Sequence, residues 1–312
     1  MHPAGSVIWF TTLSGAGYGT LFLLGLLAGT PLLPDSRWFA FATLALGLGL
    51  VTTGLVSSTL HLSHRERAWR AFSQWRTSWL SREGVFSVAG FIPAGVFGIA
   101  WVFFGHRLAW AGWLMAAFAI ATVYSTAMIY ASLKPIPRWH NPWVAPNYLL
   151  LALMTGSLLL RALVALFGLY PDALRMLSAA AILVAAAGKL AYWWHIARAA
   201  PAATAESATG LGALGRVRLL EAPHTEENYL LKEMGFRIAR KHATRLRGIA
   251  LLFAFVLPLV LTATAPLLSP VVTDFAAVLA AVAAMLGVLV ERWLFFAEAK
   301  HSVILYYGAS AV

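Results

Sequence analysis

The densest concentration of groups able to carry a proton or hold an anion is one stretch, Ser58–Gly84, STLHLSHRERAWRAFSQWRTSWLSREG. It lies between two apolar runs, each long enough to cross a bilayer. The stretch holds Arg65, Arg67, Arg70, Arg76 and Arg82, the histidines His61 and His64, three tryptophans, and the acids Glu66 and Glu83. Ionisable groups are costly at mid-bilayer, so the cluster belongs at a membrane face. His61 ends the preceding apolar run, and an imidazole titrating near neutrality accepts or releases a proton readily. Glu83, beside Arg82 at the start of the next run, is a second proton acceptor by type. Each also has a plainer role, His61 as a solvated helix cap and Glu83 as an acid stabilised by a helix N-terminus and a neighbouring cation. A polar, aromatic-rich patch at the end of a helix bundle suits an amphiphile with a polar head and an apolar tail. A quinone is such a molecule, and its reduction takes up two protons with two electrons.

The elements that must position these residues are membrane helices. Sixty per cent of the 312 residues are hydrophobic and 11% are charged, which is not the composition of a soluble domain. At about 20 apolar residues per crossing, spans are predicted near 7–28, 38–60, 85–104, 109–131, 146–168, 174–196, 247–268 and 273–297. The expected fold is all-α, a polytopic bundle of eight transmembrane helices in a single integral membrane domain, residues 1–312. The long 197–246 loop opens with a small, flexible half, PAATAESATGLGALG. It then carries an amphipathic helix with Leu231, Met234, Ile238 and Leu246 on one face and basic residues around it. That helix lies on the anionic leaflet or docks a soluble partner. In the first span, Gly15, Gly19, Gly25 and Gly29 allow close helix approach.

Eighteen Lys and Arg residues fall on the side shared by both termini and four, Arg37, Arg107, Arg161 and Arg175, on the other. Both termini and the Arg/Trp loop are therefore expected in the cytoplasm, with the chain in a bacterial inner membrane. Lys189, inside the sixth span, is expected to snorkel toward the basic side. The net charge of +11 follows from this loop bias, and nucleic acid is not an expected partner. There is no Cys, so the chain builds no thiolate metal site or cluster of its own. His61, His195 and His301 all fall at cytoplasmic helix ends, yet nothing in their spacing makes two of them face one another, so no haem and no metal site are expected. Tyr130, Lys134, Arg138, Trp139 and His140 form a second aromatic-basic edge on the same face.

Three segments carry a resemblance: Leu60-His61-Leu62, Arg67-Ala68-Trp69 and Ser78-Trp79-Leu80-Ser81-Arg82-Glu83. With MHPAGSVIWFTTLSGAGYG, YASLKPIPRWHNPW and GVLVERWLFFAEAKH, the chain resembles the dimethyl sulfoxide reductase anchor-subunit family over nearly its whole length. The resemblance implies a membrane anchor that handles menaquinone or ubiquinone. Its implied partners are an iron–sulfur subunit with four-iron clusters and a molybdopterin catalytic subunit. His61 matches the histidine to which the family's quinol chemistry is attributed, Arg67 the arginine after it, and Glu83 the acid of the Ser-x-Leu-Ser-x-Glu-like segment. Trp69, Ser81, Arg82 and Tyr130 complete the expected quinone contacts. Glycine and proline commonly follow the His-Leu pair in the family; here Ser63, His64, Arg65 and Glu66 follow it. A cytoplasm-facing anchor is similar to those of quinone-linked sulfite dehydrogenases, so sulfite oxidation with quinone reduction is expected ahead of quinol oxidation by an S- or N-oxide. The contrasting reading is a purely structural anchor, or a transporter whose arginines bind an anion.

Overall fold

The computed structural model describes residues 5–59, 64–221 and 237–312. His61 and residues 222–236, with Leu231 and Met234 of the expected amphipathic helix, lie outside the described residues. In chain order the helices are α1 (Gly5–Leu27), α2 (Arg37–Thr59), α3 (Trp79–Phe104), α4 (Ala109–Ala131), α5 (Val144–Leu166), α6 (Asp172–Arg198), α7 (Ala205–Thr209), α8 (Arg237–Lys241), α9 (Ala243–Leu267) and α10 (Pro270–Ala297). All but α7 and α8 are long and apolar enough to cross a membrane. Backbone polar groups in a hydrocarbon core must be satisfied within the spanning segment, which a helix achieves alone. Among the described residues there is no strand, only one isolated bridge between Thr204 and Ala311.

The central helix is α1, which packs on α2, α4, α5 and α10. A Cβ on Gly19 would collide with the Ala152 carbonyl of α5, and one on Gly25 with the Gly112 carbonyl of α4. Because helix association in lipid depends on packing, these two glycines let the backbones touch. Gly15 and Gly29, the other members of the expected stripe, meet nothing within 4 Å. One apolar cluster gathers around α1, with Leu24, Phe39, Phe97 and Trp101 fully buried, and a second joins α5 and α6 to α9 and α10 through Met154, Leu158, Ile182, Ala254 and Ala280. Within α9, residues Leu252–Val256 form a π turn just ahead of Pro258. Proline offers no N–H to the helix, and the wider turn absorbs the interruption.

Three local expectations change. The third span begins at Trp79 rather than near residue 85, because the Ser78 side chain accepts the Ser81 N–H and caps the helix there. The 199–221 stretch, read from sequence as small and flexible in its first half, carries local structure. Thr204 and Ser207 form a reciprocal cap on α7, the Ala202 N–H donates to the Val312 carbonyl (2.8 Å), and the Val312 N–H returns a bond to Ala203 (2.9 Å). Leu214 and Leu220 stand fully out from this platform next to Arg216 and Arg218. Lys189 does not snorkel: it is 2% exposed and turned into the bundle, where a carboxylate on α10 receives it.

At the end of the bundle away from this platform, Arg107 ties two loops together. Its guanidinium donates to the carbonyls of Ala28 (3.2 Å) and Pro34 (2.8 Å) and to the Asp35 carboxylate (3.0 Å), and it lies over the Trp101 ring.

Candidate functional site

The early start of α3 decides where its acid goes. Glu83 sits in the second turn, about 6 Å along the helix from its first residue, and is only 5% exposed. The Thr126 hydroxyl of α4 donates to the Glu83 carboxylate, and the Ser87 hydroxyl donates to the Glu83 backbone carbonyl (2.7 Å). Among the described residues no cation pairs with it. Arg82, its neighbour in sequence, is turned the other way: its guanidinium donates to the carbonyls of Trp75 (3.0 Å) and Arg76 (2.6 Å) and lies 4.2 Å from the Trp79 ring centre. The arginine therefore fastens the 3-10 segment Arg65–Phe72 and its following turn to the head of α3, and Phe72 of that segment lies against Gly84.

The expected site residues thus divide into two groups. Ser81 is buried with its N–H capped by Ser78, Glu83 is buried beside it in sequence, and Tyr130 stands in an aromatic cluster farther round the bundle. Arg67 and Trp69 are exposed on the 3-10 segment, Arg67 within 3.8 Å of Glu66 and Trp69 under the Arg70 guanidinium. His61 lies outside the described residues.

Inside the bundle is a second set of charged and polar groups. Lys189 of α6 and Glu291 of α10 form an ion pair with side chains 2% and 1% exposed, and Arg292 approaches the other Glu291 oxygen at 3.4 Å. Lys189 also lies 4.1 Å from the Tyr192 ring centre, and Arg292 lies 3.7 Å from that of Tyr148. Two cations and one carboxylate leave this triad one positive charge in excess. Tyr148 stacks on Tyr130 (5.9 Å, 22°), and Trp139, Phe295 and Phe296 close around Tyr130. Tyr130 and Tyr148 lie within electrostatic reach of both Glu83 and Arg292.

One cavity meets this set, and a second shares a wall with the first. The first, of about 10 Å³, has room for about one water molecule and is lined by Thr12, Ser14, Thr126, Tyr148 and Arg292 among others. The second, of about 170 Å³, is apolar and lined by Tyr18, Phe22, Ile120, Val123 and Leu153 among others. Val123 and Ala152 wall both cavities. Tyr18 faces Ser87 and Thr122, one turn from Glu83 and Thr126 respectively. Glu83 itself lines neither cavity; Thr126, which donates to it, lines the smaller one.

At the same end of the bundle the last carbonyls of α10 are capped by cations. Arg240 donates to Ala297 (2.6 Å) and Ala299 (3.2 Å), and Arg247 pairs with Glu298 at 2.6 Å, with Arg138 on the same carboxylate at 3.8 Å. Burial, then the nearby Arg138, lowers the Arg240 pKa from its ordinary value. Among the described residues no three His, Cys, Asp or Glu side chains gather closely enough to hold a metal ion.

Thr126, Tyr148, Lys189, Glu291 and Arg292 were not singled out as site residues by sequence. The available signal was opposite charge inside two different apolar runs, which in a membrane protein calls for a partner. Over an alignment of 348 positions covering all of both chains, the protein is 32% identical to a sulfite dehydrogenase subunit from Allochromatium vinosum. The model of the DMSO reductase anchor subunit (DmsC) family matches residues 1–304, and the chain belongs to that family.

Proposed function

We propose that this chain is the membrane anchor of a molybdopterin iron–sulfur oxidoreductase complex and the subunit at which membrane quinone, menaquinone or ubiquinone, is reduced. The observation that carries the proposal is the buried Glu83 carboxylate bonded to Thr126, with an apolar groove of about 170 Å³ nearby. Such a carboxylate relays protons to a quinone head group, while the groove accommodates the start of its apolar tail. Sulfite and water yield sulfate, two protons and two electrons. The electrons pass through the four-iron clusters of the partner, and quinone takes up two electrons and two protons to become quinol. In this scheme His61 and Glu83 deliver the protons, Ser81 and Tyr130 border the head group, and Arg67, Trp69 and Arg82 form the mouth of the pocket.

The iron–sulfur subunit docks on the face that carries the basic loops. Support comes from the fully exposed Leu214 and Leu220 beside Arg216 and Arg218, an apolar and cationic combination in need of a cover. The distribution of eighteen Lys and Arg against four supports a cytoplasmic location for that face and both termini, in a bacterial inner membrane. Sulfite as electron donor is supported by the sulfite dehydrogenase relative; the family's own description favours the second reading, in which quinol is oxidised and dimethyl sulfoxide reduced.

The test uses the assembled complex in membranes. Glu83→Gln and His61→Ala should each lower quinone-coupled turnover at least a hundredfold, in the range typical for loss of a proton-transfer group, while dye-linked turnover stays normal. Normal quinone kinetics in both variants would remove the site. Quinol oxidation by dimethyl sulfoxide without any sulfite-to-quinone activity would reverse the assignment of substrate.

A further inference from the structure

The other end of the bundle holds a cation that nothing in the quinone proposal uses. Arg161, near the end of α5, is 6% exposed. Its Nη1 donates to the Thr262 hydroxyl of α9 (2.9 Å), and its Nη2 has no hydrogen-bond partner among the described residues. No carboxylate among the described residues pairs with it. A buried guanidinium that lacks both a counter-ion and a full set of acceptors is costly, more so in a membrane helix. It lines a cavity of about 210 Å³ between the ends of α5 and α6 and the α9–α10 turn, bordered also by Leu169, Leu174, Arg175 and Leu268.

The charges around this cavity are engaged except for Arg161. Arg175 forms a pair with Asp172 (3.0 Å), and the Tyr170 hydroxyl donates to Asp274 (3.0 Å). Among the charged side chains that line the cavity, Arg175 and Asp172 cancel and the buried Arg161 remains as one positive charge; Asp274 is not a lining residue. The wall is otherwise mainly apolar, and the cavity lies where the helices end and lipid head groups begin.

We propose that Arg161 is the floor of a binding site for a phosphate oxyanion, supplied by the phosphodiester of a phospholipid whose glycerol and acyl portions lie on Leu169, Leu174 and Leu268. One phosphate oxygen accepts from Nη2 and supplies the missing charge, a pairing for which the guanidinium fork is well matched. The site lies across the bundle from Glu83 and is independent of quinone chemistry.

The test purifies the complex in mild detergent and counts retained phospholipid by native mass spectrometry and phosphorus NMR. Wild type should hold one phospholipid tightly. Arg161→Gln, and Leu268→Trp, which fills the cavity from a half-exposed position without touching the arginine, should each weaken retention roughly tenfold or more; Arg161→Lys should keep part of it. In delipidated protein, inorganic phosphate is the second probe. A rise in the unfolding midpoint with phosphate in wild type but not in Arg161→Gln, without lipid retention, supports the oxyanion site with free phosphate as its source. Equal lipid retention by wild type, Arg161→Gln and Leu268→Trp, with no phosphate effect, overturns the proposal.

Discussion

The Lys189–Glu291 pair makes an asymmetric prediction, because the third charge, Arg292, sits on one side of it only. Removing one partner of a buried ion pair costs roughly 3–5 kcal/mol, because the remaining charge is left uncompensated. Lys189→Met leaves Glu291 with Arg292 still 3.4 Å away, so its cost should fall near the lower end, about 3 kcal/mol. Glu291→Gln leaves both Lys189 and Arg292 buried without a carboxylate, so its cost should fall near the upper end, about 5 kcal/mol. The double variant Lys189→Met/Glu291→Gln removes a cation and an anion together and should be no worse than the milder single change, which corresponds to a coupling energy of about 5 kcal/mol or more. The assay is unfolding in mixed micelles, followed by tryptophan fluorescence and by size-exclusion profile. For a chain of this size the single changes shift the midpoint by on the order of 10 °C. Equal costs for the two single variants, or a double variant equal to their sum, would refute the argument that the pair and its lopsided neighbour govern stability.

Two further outcomes follow from packing and surface. Gly19→Leu or Gly156→Leu forces α1 away from α5, since a Cβ at either position would strike the backbone of the other helix; both should abolish accumulation of the folded chain, measured in membranes by limited proteolysis, whereas Gly29→Leu, which meets nothing within 4 Å, should be tolerated. Leu214→Asp with Leu220→Asp should leave membrane insertion intact but reduce co-purification of the iron–sulfur subunit by tenfold or more, as expected for loss of two central apolar anchors; full stoichiometry would move the docking surface elsewhere.

What could be read from the sequence was set by how strongly each physical demand marks the chain. Crossing a bilayer needs about 20 apolar residues, so the eight spans stood out. The start of α3 was misjudged because Trp79–Gly84 is polar by composition; the cap by Ser78 outweighs that and draws Glu83 from loop to bundle interior. Hydropathy also reports depth along a helix but not which way a side chain turns around it. Lys189, close to a basic end, therefore looked like a snorkelling cation, whereas it and Arg292 both turn inward. Their inward direction depends on Glu291, 102 residues away from Lys189 in sequence, and on the tyrosines of α5 and α6. Arg67 and Trp69 were legible as motif residues, yet their exposure on a 3-10 segment has no counterpart in spacing alone.

The central place of α1 has a consequence for how the chain is made. Its touching partners on α4 and α5 lie far downstream, and Gly156 leaves the ribosome roughly 140 residues after Gly19, about 7–30 s later at ordinary synthesis rates. Through that interval the α5-facing stripe of α1 has only α2 and then α3 and α4 in the membrane with it, so lipid or an insertion factor must occupy the groove that Gly156 later fills. Helices α9 and α10 arrive last and bring Glu291 to Lys189, which enters the bilayer on α6 before any carboxylate is there to meet it. Insertion of α6 is therefore the step most sensitive to the depth of one lysine, and a stalled chain ending before α10 should sit with that lysine at the membrane surface.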